Sequence, residues 1–177
     1  MKDMDSLLAQ VLAFRPNRLV PPFDLQGHIP FVAWLVKELQ PATFVQLGTQ
    51  SGNLYFAACQ TVAENSLPTR CWAVGTWQAE ELAQRHSVQQ EAGASDYNRQ
   101  HFGAFSGLLR MGDAQALPRF APGSIDLLLI DGRYSLETVR NEYESWRDRL
   151  SDHAVVLLVG IEQADSGAAA LWQQLQP

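Results

Sequence analysis

The chain has 177 residues, of which 46% are hydrophobic and 18% charged, so it is long enough for one domain with a real core and is globular rather than disordered in composition. A formal net charge of −6 with scattered basic residues argues against a nucleic-acid-binding surface, because neutralising phosphates requires clustered Lys and Arg. No stretch approaches the roughly 18 apolar residues of a membrane span, and the N-terminus does not resemble a signal peptide, so we expect a cytoplasmic protein without membrane contact.

The first forty residues predict two helices separated by a proline-rich linker. Residues 3–14 carry apolar side chains at helical spacing, and so do residues 27–39. Three prolines between them break the helical pattern. We therefore expect residues 1–40 to form a helical segment that packs on a domain formed by residues 41–177.

Beyond residue 40, short apolar strands alternate with helices. The predicted strands are 43–47, 70–74, 106–111, 124–131 and 153–159. The predicted helices are 54–64, 78–92, 96–102, 136–150 and 165–176. Strands that alternate with helices imply right-handed crossovers and a parallel sheet. The expected fold is α/β, a Rossmann-like, doubly wound parallel sheet in a three-layer α/β/α arrangement, preceded by the N-terminal helices.

The cysteines and histidines predict no metal site. Cys59 falls in a predicted helix and Cys71 opens a strand, so we expect both to be buried free thiols, which suits a reducing cytoplasm. No pair among the four histidines has the helical spacing of a metal site. The sequence also lacks a nucleophile-elbow motif and a phosphate-binding loop, which leaves hydrolase and NTPase functions without support.

Ligands of open parallel sheets bind beyond the carboxyl ends of the strands, so the loops there are the expected site. After the first strand, Gln46, Gly48, Thr49 and Gly52 belong to a strand-to-helix turn. Its glycines let the backbone approach a ligand, and the following helix offers free N–H groups. Two glycines at this spacing are also consistent with a turn that only requires small residues.

The loops after the second and third strands add further candidates. Gly75 and Thr76 lie where nucleotide-binding folds usually have an acid that accepts both ribose hydroxyls. Asp113 has two interpretations: it faces an adenine amino group, or it caps a helix.

Asp131, at the end of the fourth strand, is the best single candidate for a functional acid. A carboxylate that ends a buried strand is costly unless it is paired or binds a ligand. The alternative is a structural aspartate that is hydrogen-bonded at the strand end. Asp126, at the start of the same apolar run, is interpreted as structural.

Taken together, several stretches resemble the class I S-adenosylmethionine-dependent methyltransferases, in particular a subgroup found alone or fused to glycosyltransferases in bacterial surface-glycan clusters. The run FVQLGTQSGNLYFAAC at 44–59 resembles motif I of that subgroup. The other similar stretches are CWAVGTW at 71–77, FSGLLRM at 105–111, GSIDLLLIDG at 123–132, ETVRNEYESW at 137–146 and the closing helix with Leu171 and Trp172. The similarity spans about residues 27–176.

The resemblance implies S-adenosylmethionine as the cofactor and a catalytic site at Asp131 and Tyr134. The implied cofactor-binding residues are Gln46, Gly48, Thr49, Gly52, Gly75, Thr76 and Asp113. It further implies a small-molecule or glycan hydroxyl as the methyl acceptor, and a glycosyltransferase or a second copy of the chain as a partner.

Several site positions depart from the family pattern. The family has an acid where this chain has Gln46 and a ribose-binding aspartate where it has Gly75. It has a histidine, the general base of metal-assisted relatives, where this chain has Tyr134, and a His-Asp pair after the fifth strand. Those relatives hold a divalent cation between the Asp131 position and further acids, and because Asp131 alone cannot form such a site, no metal is expected. The family also completes its sheet with strands six and seven, whereas five strands are predicted here.

Three functional hypotheses follow. In the first, the domain methylates a hydroxyl of a glycan or small molecule. In the second, its catalytic residues are eroded and it is a pseudo-methyltransferase that acts as a binding, scaffold or oligomerisation module. A nicotinamide-dependent oxidoreductase shares the fold class, but the sequence lacks the Gly-x-Gly-x-x-Gly spacing and the ribose-binding acid.

Overall fold

The structure is a computed structural model that describes residues 4–23, 25–75, 84–131, 135–161 and 166–176, with the backbone alone described at 4–7, 10 and 84–92. The strands are β1 (Thr43–Leu47), β2 (Arg70–Val74), β3 (Ser106–Leu109), β4 (Ile125–Asp131) and β5 (Leu150–Val159). They form one sheet in the order β3-β2-β1-β4-β5, and every pairing is parallel. The predicted parallel sheet is confirmed.

Helices cover both faces of this sheet. They are α1 (Met4–Ala13), α2 (Ile29–Leu39), α3 (Asn53–Glu64), α4 (Gln84–His101), α5 (Asp113–Ala116), α6 (Leu136–Trp146) and α7 (Gly167–Leu175). One core lies between the sheet and α2, α3 and α4, and a second lies between the sheet and α5, α6 and α7. The predicted doubly wound, three-layer α/β/α fold is therefore confirmed. Among the described residues, no helix combines the length and the apolar character needed to cross a bilayer.

The central strand β1 contributes side chains to both cores, because successive side chains of a strand point to opposite faces of the sheet. Phe44 belongs to the core under α2 and α3, whereas Val45 and Leu47 belong to the opposite core. Cys59 and Cys71, predicted as buried free thiols, are both buried and free.

Several predicted boundaries differ from the structure: β3 ends at Leu109 and not at 111, and α6 ends at Trp146 and not at 150. Two further differences have a clear physical reason. The predicted break between helices 78–92 and 96–102 is wrong over the described residues, where α4 continues through Gly93. A glycine inside a helix costs only about 1 kcal/mol, and Ala94, Asn98 and Phe102, at helical spacing, anchor this part of α4 in the interior. Strand β5 begins at Leu150, earlier than predicted, because Leu150 pairs with Ile125 beside an irregularity in the register.

The linker between α1 and α2 is fastened to α3 by two buried amide side chains. Gln60 accepts a hydrogen bond from the Asn17 N–H at 2.8 Å and donates one to the Arg15 carbonyl at 3.0 Å. Asn53 accepts from the Val20 N–H at 3.1 Å and donates to the Val20 carbonyl at 2.8 Å. The two amides thus give the extended linker the backbone partners that a neighbouring strand would otherwise provide.

Candidate functional site

The rim of the sheet, meaning the carboxyl ends of β1, β2 and β4 with the loops that follow, has the topology of a ligand site. The connections from β1 and β4 lead to opposite faces of the sheet, since α3 belongs to one core and α6 to the other. Such a switch point opens a crevice between the two loops. The crevice lies between the loop after Leu47 and the end of β4 at Asp131.

The loop after β1 is tightly folded and tied to β2. The Gly48 N–H donates a hydrogen bond to the Val74 carbonyl at 3.1 Å, and the Thr49 hydroxyl donates to the same carbonyl at 3.3 Å. Gly52 begins α3 with a φ of +76°, and a Cβ there would lie 2.8 Å from the ring of Phe56. Only glycine fits that position without strain, so the shape of the loop explains this glycine irrespective of any ligand.

Gln46 lies beside this loop and has a buried acceptor for which the described residues provide no donor. The side chain is 3% exposed and its Nε2 donates a long, 3.4 Å hydrogen bond to the Gly48 carbonyl. Its Oε1 is buried and accepts no hydrogen bond from any described residue. A buried acceptor without a donor costs about 1–3 kcal/mol. A ligand that brings an N–H donor to this position would remove that cost.

Asp131 closes the crevice from the opposite side. It is 2% exposed, and its Oδ2 accepts a 2.6 Å hydrogen bond from Nε2 of Gln50. The cavity that remains has a volume of about 20 Å³ and is lined by Leu25, Gln46, Gly48, Thr49, Gln50, Ser51, Asn53, Leu54 and Asp131. That volume holds about one water molecule. A cavity of this size does not hold a nucleoside.

Asp113 lies apart from this cavity and faces Glu142 of α6. The residue in the capping position of α5 is Gly112, so the interpretation of Asp113 as a helix cap is wrong. Burial raises the pKa of Asp113, and a hydrogen bond from Glu142 opposes that rise. Burial, the charge of Asp113, the hydrogen bond to it and the charge of Asp131 raise the pKa of Glu142 to about 8. At neutral pH the pair therefore shares a proton that Glu142 holds and donates to Asp113.

The structure brings together Gln46, Gly48, Thr49 and Asp131, which line one cavity. Gly75 lies beside them, since a Cβ at this position would be 3.8 Å from Thr49. The predicted residues Thr76 and Tyr134 lie outside the described residues. Among the described residues, no group of three or more His, Cys, Asp or Glu side chains is placed to hold a metal ion.

Two residues of the site, Gln50 and Glu142, were not predicted from the sequence. Gln50 lies inside the predicted loop, so its position was visible, but its reach to Asp131 depends on a contact between residues 81 positions apart. Glu142 carries no local signal, because its role arises only from the packing of α6 against α5.

Comparisons with known proteins fit this architecture. A protein family described as "Methyltransferase domain" matches residues 45–158, which is more than half of the chain. An uncharacterized protein of Sinorhizobium fredii, y4gI, is 37% identical over 169 residues. That match covers 96% of this chain but only 18% of the relative. The chain thus spans less than a fifth of the length of this relative.

Solved methyltransferase structures share the fold at low sequence identity. The SAH-bound methyltransferase PaMTH1 of Podospora anserina is 14% identical, with a TM-score of 0.59, and the match covers 89% of this chain and 62% of that one. A methyltransferase of Geobacter sulfurreducens is 15% identical, with a TM-score of 0.55 and coverage of 95% and 75%. The O-methyltransferase TomG of Streptomyces achromogenes, in complex with SAM, is 13% identical, with a TM-score of 0.54 and coverage of 98% and 78%.

Proposed function

Because the chain belongs to the methyltransferase domain family, we propose that its rim binds S-adenosylmethionine and directs transfer of the methyl group to a hydroxyl of a small-molecule or glycan acceptor. The observation that carries this proposal is the buried Oε1 of Gln46, which has no donor among the described residues and belongs to a residue that lines the rim cavity. Structural relatives solved with SAH or SAM bound add support for the choice of cofactor.

The residues present fit the amino-acid end of this cofactor. S-adenosylmethionine carries an ammonium group, whose N–H donors match the acceptor that Gln46 leaves open. Gln46 stands where the resemblance places an acid, so the hydrogen bond is made to a neutral group. Because the ammonium donor is charged, such a bond contributes about 1.5–3 kcal/mol. An acidic acceptor would add the attraction of an ion pair.

The ribose end of the site has a weaker fit. Gly75 has no side chain that could accept hydrogen bonds from the two ribose hydroxyls, so only its backbone can contact the ribose. Losing one charge-assisted contact weakens binding by roughly tenfold to a hundredfold relative to a site with an acid. We therefore expect micromolar to millimolar rather than tighter affinity.

The bound cofactor would supply an electrophilic methyl group, and the protein would supply alignment, which is the main requirement of methyl transfer. Asp131 lies at the end of β4, across the crevice from the loop that holds the cofactor. Asp131 would then accept a hydrogen bond from the acceptor hydroxyl and take its proton as the methyl group is transferred. A catalytic role for Tyr134 rests on the family resemblance of its sequence position alone.

The acceptor class and the partner rest on similarity. TomG is an O-methyltransferase, which favours a hydroxyl acceptor here. The relative of Sinorhizobium fredii is much longer than this chain, which favours a domain that works alongside other domains, and by the family resemblance a glycosyltransferase is the partner proposed. A glycan hydroxyl is then the preferred acceptor.

Isothermal titration calorimetry with S-adenosylmethionine and S-adenosylhomocysteine tests the proposal. We expect saturable binding of both, weakened about tenfold or more by Gln46→Leu and retained by Gln46→Glu, which keeps an acceptor. Gln173→Leu, an exposed glutamine on α7, is the matched control. Absence of saturable binding at millimolar ligand would refute the proposal. Binding without turnover on a panel of hydroxyl acceptors would instead identify a catalytically inactive binding module.

A further inference from the structure

A second cavity lies on the opposite side of the sheet from α3, and we call it the α5-face cavity. It has a volume of about 500 Å³, within the range of small-molecule sites. Its walls are Trp72, Leu109 and Phe120, and its remaining lining includes Thr43, Arg70 and Arg119. It shares no lining residue with the rim cavity.

The cavity exists because the chain covers this part of the sheet thinly. Between β3 and β4 the helix α5 is only one turn long and is followed by a short 3-10 turn, Leu117–Arg119. Full-length helices cover the other face of the same strands. The apolar faces of β2 and β3 are therefore left partly open beside α5.

The aromatic wall is held in a fixed position. Trp72 lies against β3 at Gly107, where a Cβ would come within 2.4 Å of the indole ring. Phe120 packs edge-on against Trp72, with ring centroids 6.1 Å apart, and also against Trp146, at 5.2 Å. Aromatic side chains pack favourably against planar aromatic ligands, either face to face or edge to face.

Both charged residues that line the cavity, Arg70 and Arg119, are positive. The chain as a whole has a net charge of −6. Nη1 of Arg70 donates a 2.7 Å hydrogen bond to the Ala104 carbonyl, which anchors that guanidinium at the edge of the sheet. Arg119 is exposed, and no carboxylate of the described residues forms an ion pair with it.

We propose that the α5-face cavity is a binding site for a small aromatic carboxylate. The ring would lie against Trp72 and Phe120, and the carboxylate would be held by Arg119 and Arg70, because the planar guanidinium fork matches carboxylate geometry. This site is separate from the proposed cofactor site, so its occupancy does not depend on methyl transfer. It gives the domain a second ligand, bound across the sheet from α3.

Nuclear magnetic resonance of the tryptophan indole N–H groups tests this directly, with 2-naphthoate as the probe and 2-naphthylmethanol as its neutral counterpart. The Trp72 resonance is assigned with Trp72→Phe. We expect naphthoate to shift it saturably and the neutral alcohol to bind about tenfold more weakly. Arg119→Gln should weaken naphthoate binding by a similar factor and leave the alcohol unaffected.

Lys37→Gln is the matched control, because it removes one positive charge at a different cavity, between α1, α2 and α3. Equal affinity for the two probes, a loss of binding in Lys37→Gln, or displacement of naphthoate by S-adenosylhomocysteine would each overturn the proposal. So would a dimer in sedimentation velocity that Arg119→Gln dissolves, because the occupant would then be a second copy of the chain. The absence of a saturable Trp72 shift at millimolar naphthoate would have the same consequence.

Discussion

Gln50 and Asp131 form a hydrogen bond across the rim cavity. The bond is short, at 2.6 Å, and joins an exposed amide to a carboxylate that is 2% exposed. A cofactor that occupies this crevice has to break it. The apparent affinity for the cofactor is then reduced by the fraction of molecules in which the bond is closed.

Shortening the Gln50 side chain should therefore strengthen cofactor binding. Gln50→Asn keeps a residue that tolerates the left-handed backbone at φ +45° but is too short to reach Asp131. We expect S-adenosylmethionine to bind about three- to tenfold more tightly in calorimetry. Gln40→Asn, another left-handed glutamine at φ +46° outside the site, is the control. Unchanged affinity in Gln50→Asn would show that this bond does not restrict the rim.

Glu142 makes stability depend on pH in an unusual direction. Its pKa is raised, from 4.5 to about 8, so the folded protein keeps a proton that the unfolded chain loses. This stabilisation is complete below about pH 4.5 and is lost as the pH rises towards 8. Between about pH 5 and pH 9, the free energy of unfolding in urea should decline less in Glu142→Gln than in the parent protein. Glu144→Gln, an exposed change on the same helix, should keep the parent profile; identical profiles in all three proteins would disprove the Asp113–Glu142 pair.

At the scale of elements, the strands were predicted best from the sequence. The bounds of β1 and β2 agree with the structure residue by residue, because each is a short apolar run between turn-forming residues. The break in α4 was mispredicted because tertiary anchoring outweighs the local cost of Gly93. The rim loop was predictable from strand order, whereas the Gln50–Asp131 and Asp113–Glu142 contacts were not, since they join side chains from distant segments.

Asp126 ties together the amino ends of three strands. Its carboxylate accepts hydrogen bonds from the Ala42 N–H at 2.8 Å, the Thr43 N–H at 3.1 Å and the Ser151 hydroxyl at 2.8 Å, and lies 3.1 Å from Nε2 of His153. Burial alone would raise its pKa, but these hydrogen bonds and the charge of His153 lower it. The ionised Asp126 therefore stabilises the folded state above the ordinary pKa of an aspartate. This stabilisation is lost as the pH falls through the lowered pKa of Asp126.

Removal of this carboxylate should destabilise the sheet. We expect Asp126→Ala to lower the free energy of unfolding by about 2 kcal/mol at neutral pH, because several donors lose their acceptor at once. Asp152→Ala, an exposed change on β5, should cost less than about 0.5 kcal/mol. Chemical denaturation measures both, and equal values would show that Asp126 is not the tie between the strands.

At the scale of the whole molecule, β5 is the edge strand that most requires another segment or another chain to cover it. It is the longest strand and pairs with β4 on one side, while no described strand pairs with its other side. Its run Val155–Leu158 is apolar yet only partly buried, and nearby on α7 Trp172 is 49% exposed. Apolar stretches of an edge strand that contain no charged residues or prolines favour association with another chain.

We expect this chain by itself to associate reversibly as its concentration rises. Trp172→Lys should reduce the association in sedimentation velocity, because it places a charge on the apolar face beside the edge. Gln173→Lys, on the neighbouring residue, adds the same charge outside that face. A strict monomer at every concentration would contradict this expectation.

A crystal structure with S-adenosylhomocysteine would show whether the rim holds the cofactor with Gln46 as an acceptor. We expect the ligand in the crevice after β1, with its amino group in hydrogen-bonding distance of Gln46 Oε1 and the Gln50 side chain turned away from Asp131. A ligand bound elsewhere, or a crevice still closed by the Gln50–Asp131 hydrogen bond at saturating ligand, would contradict it.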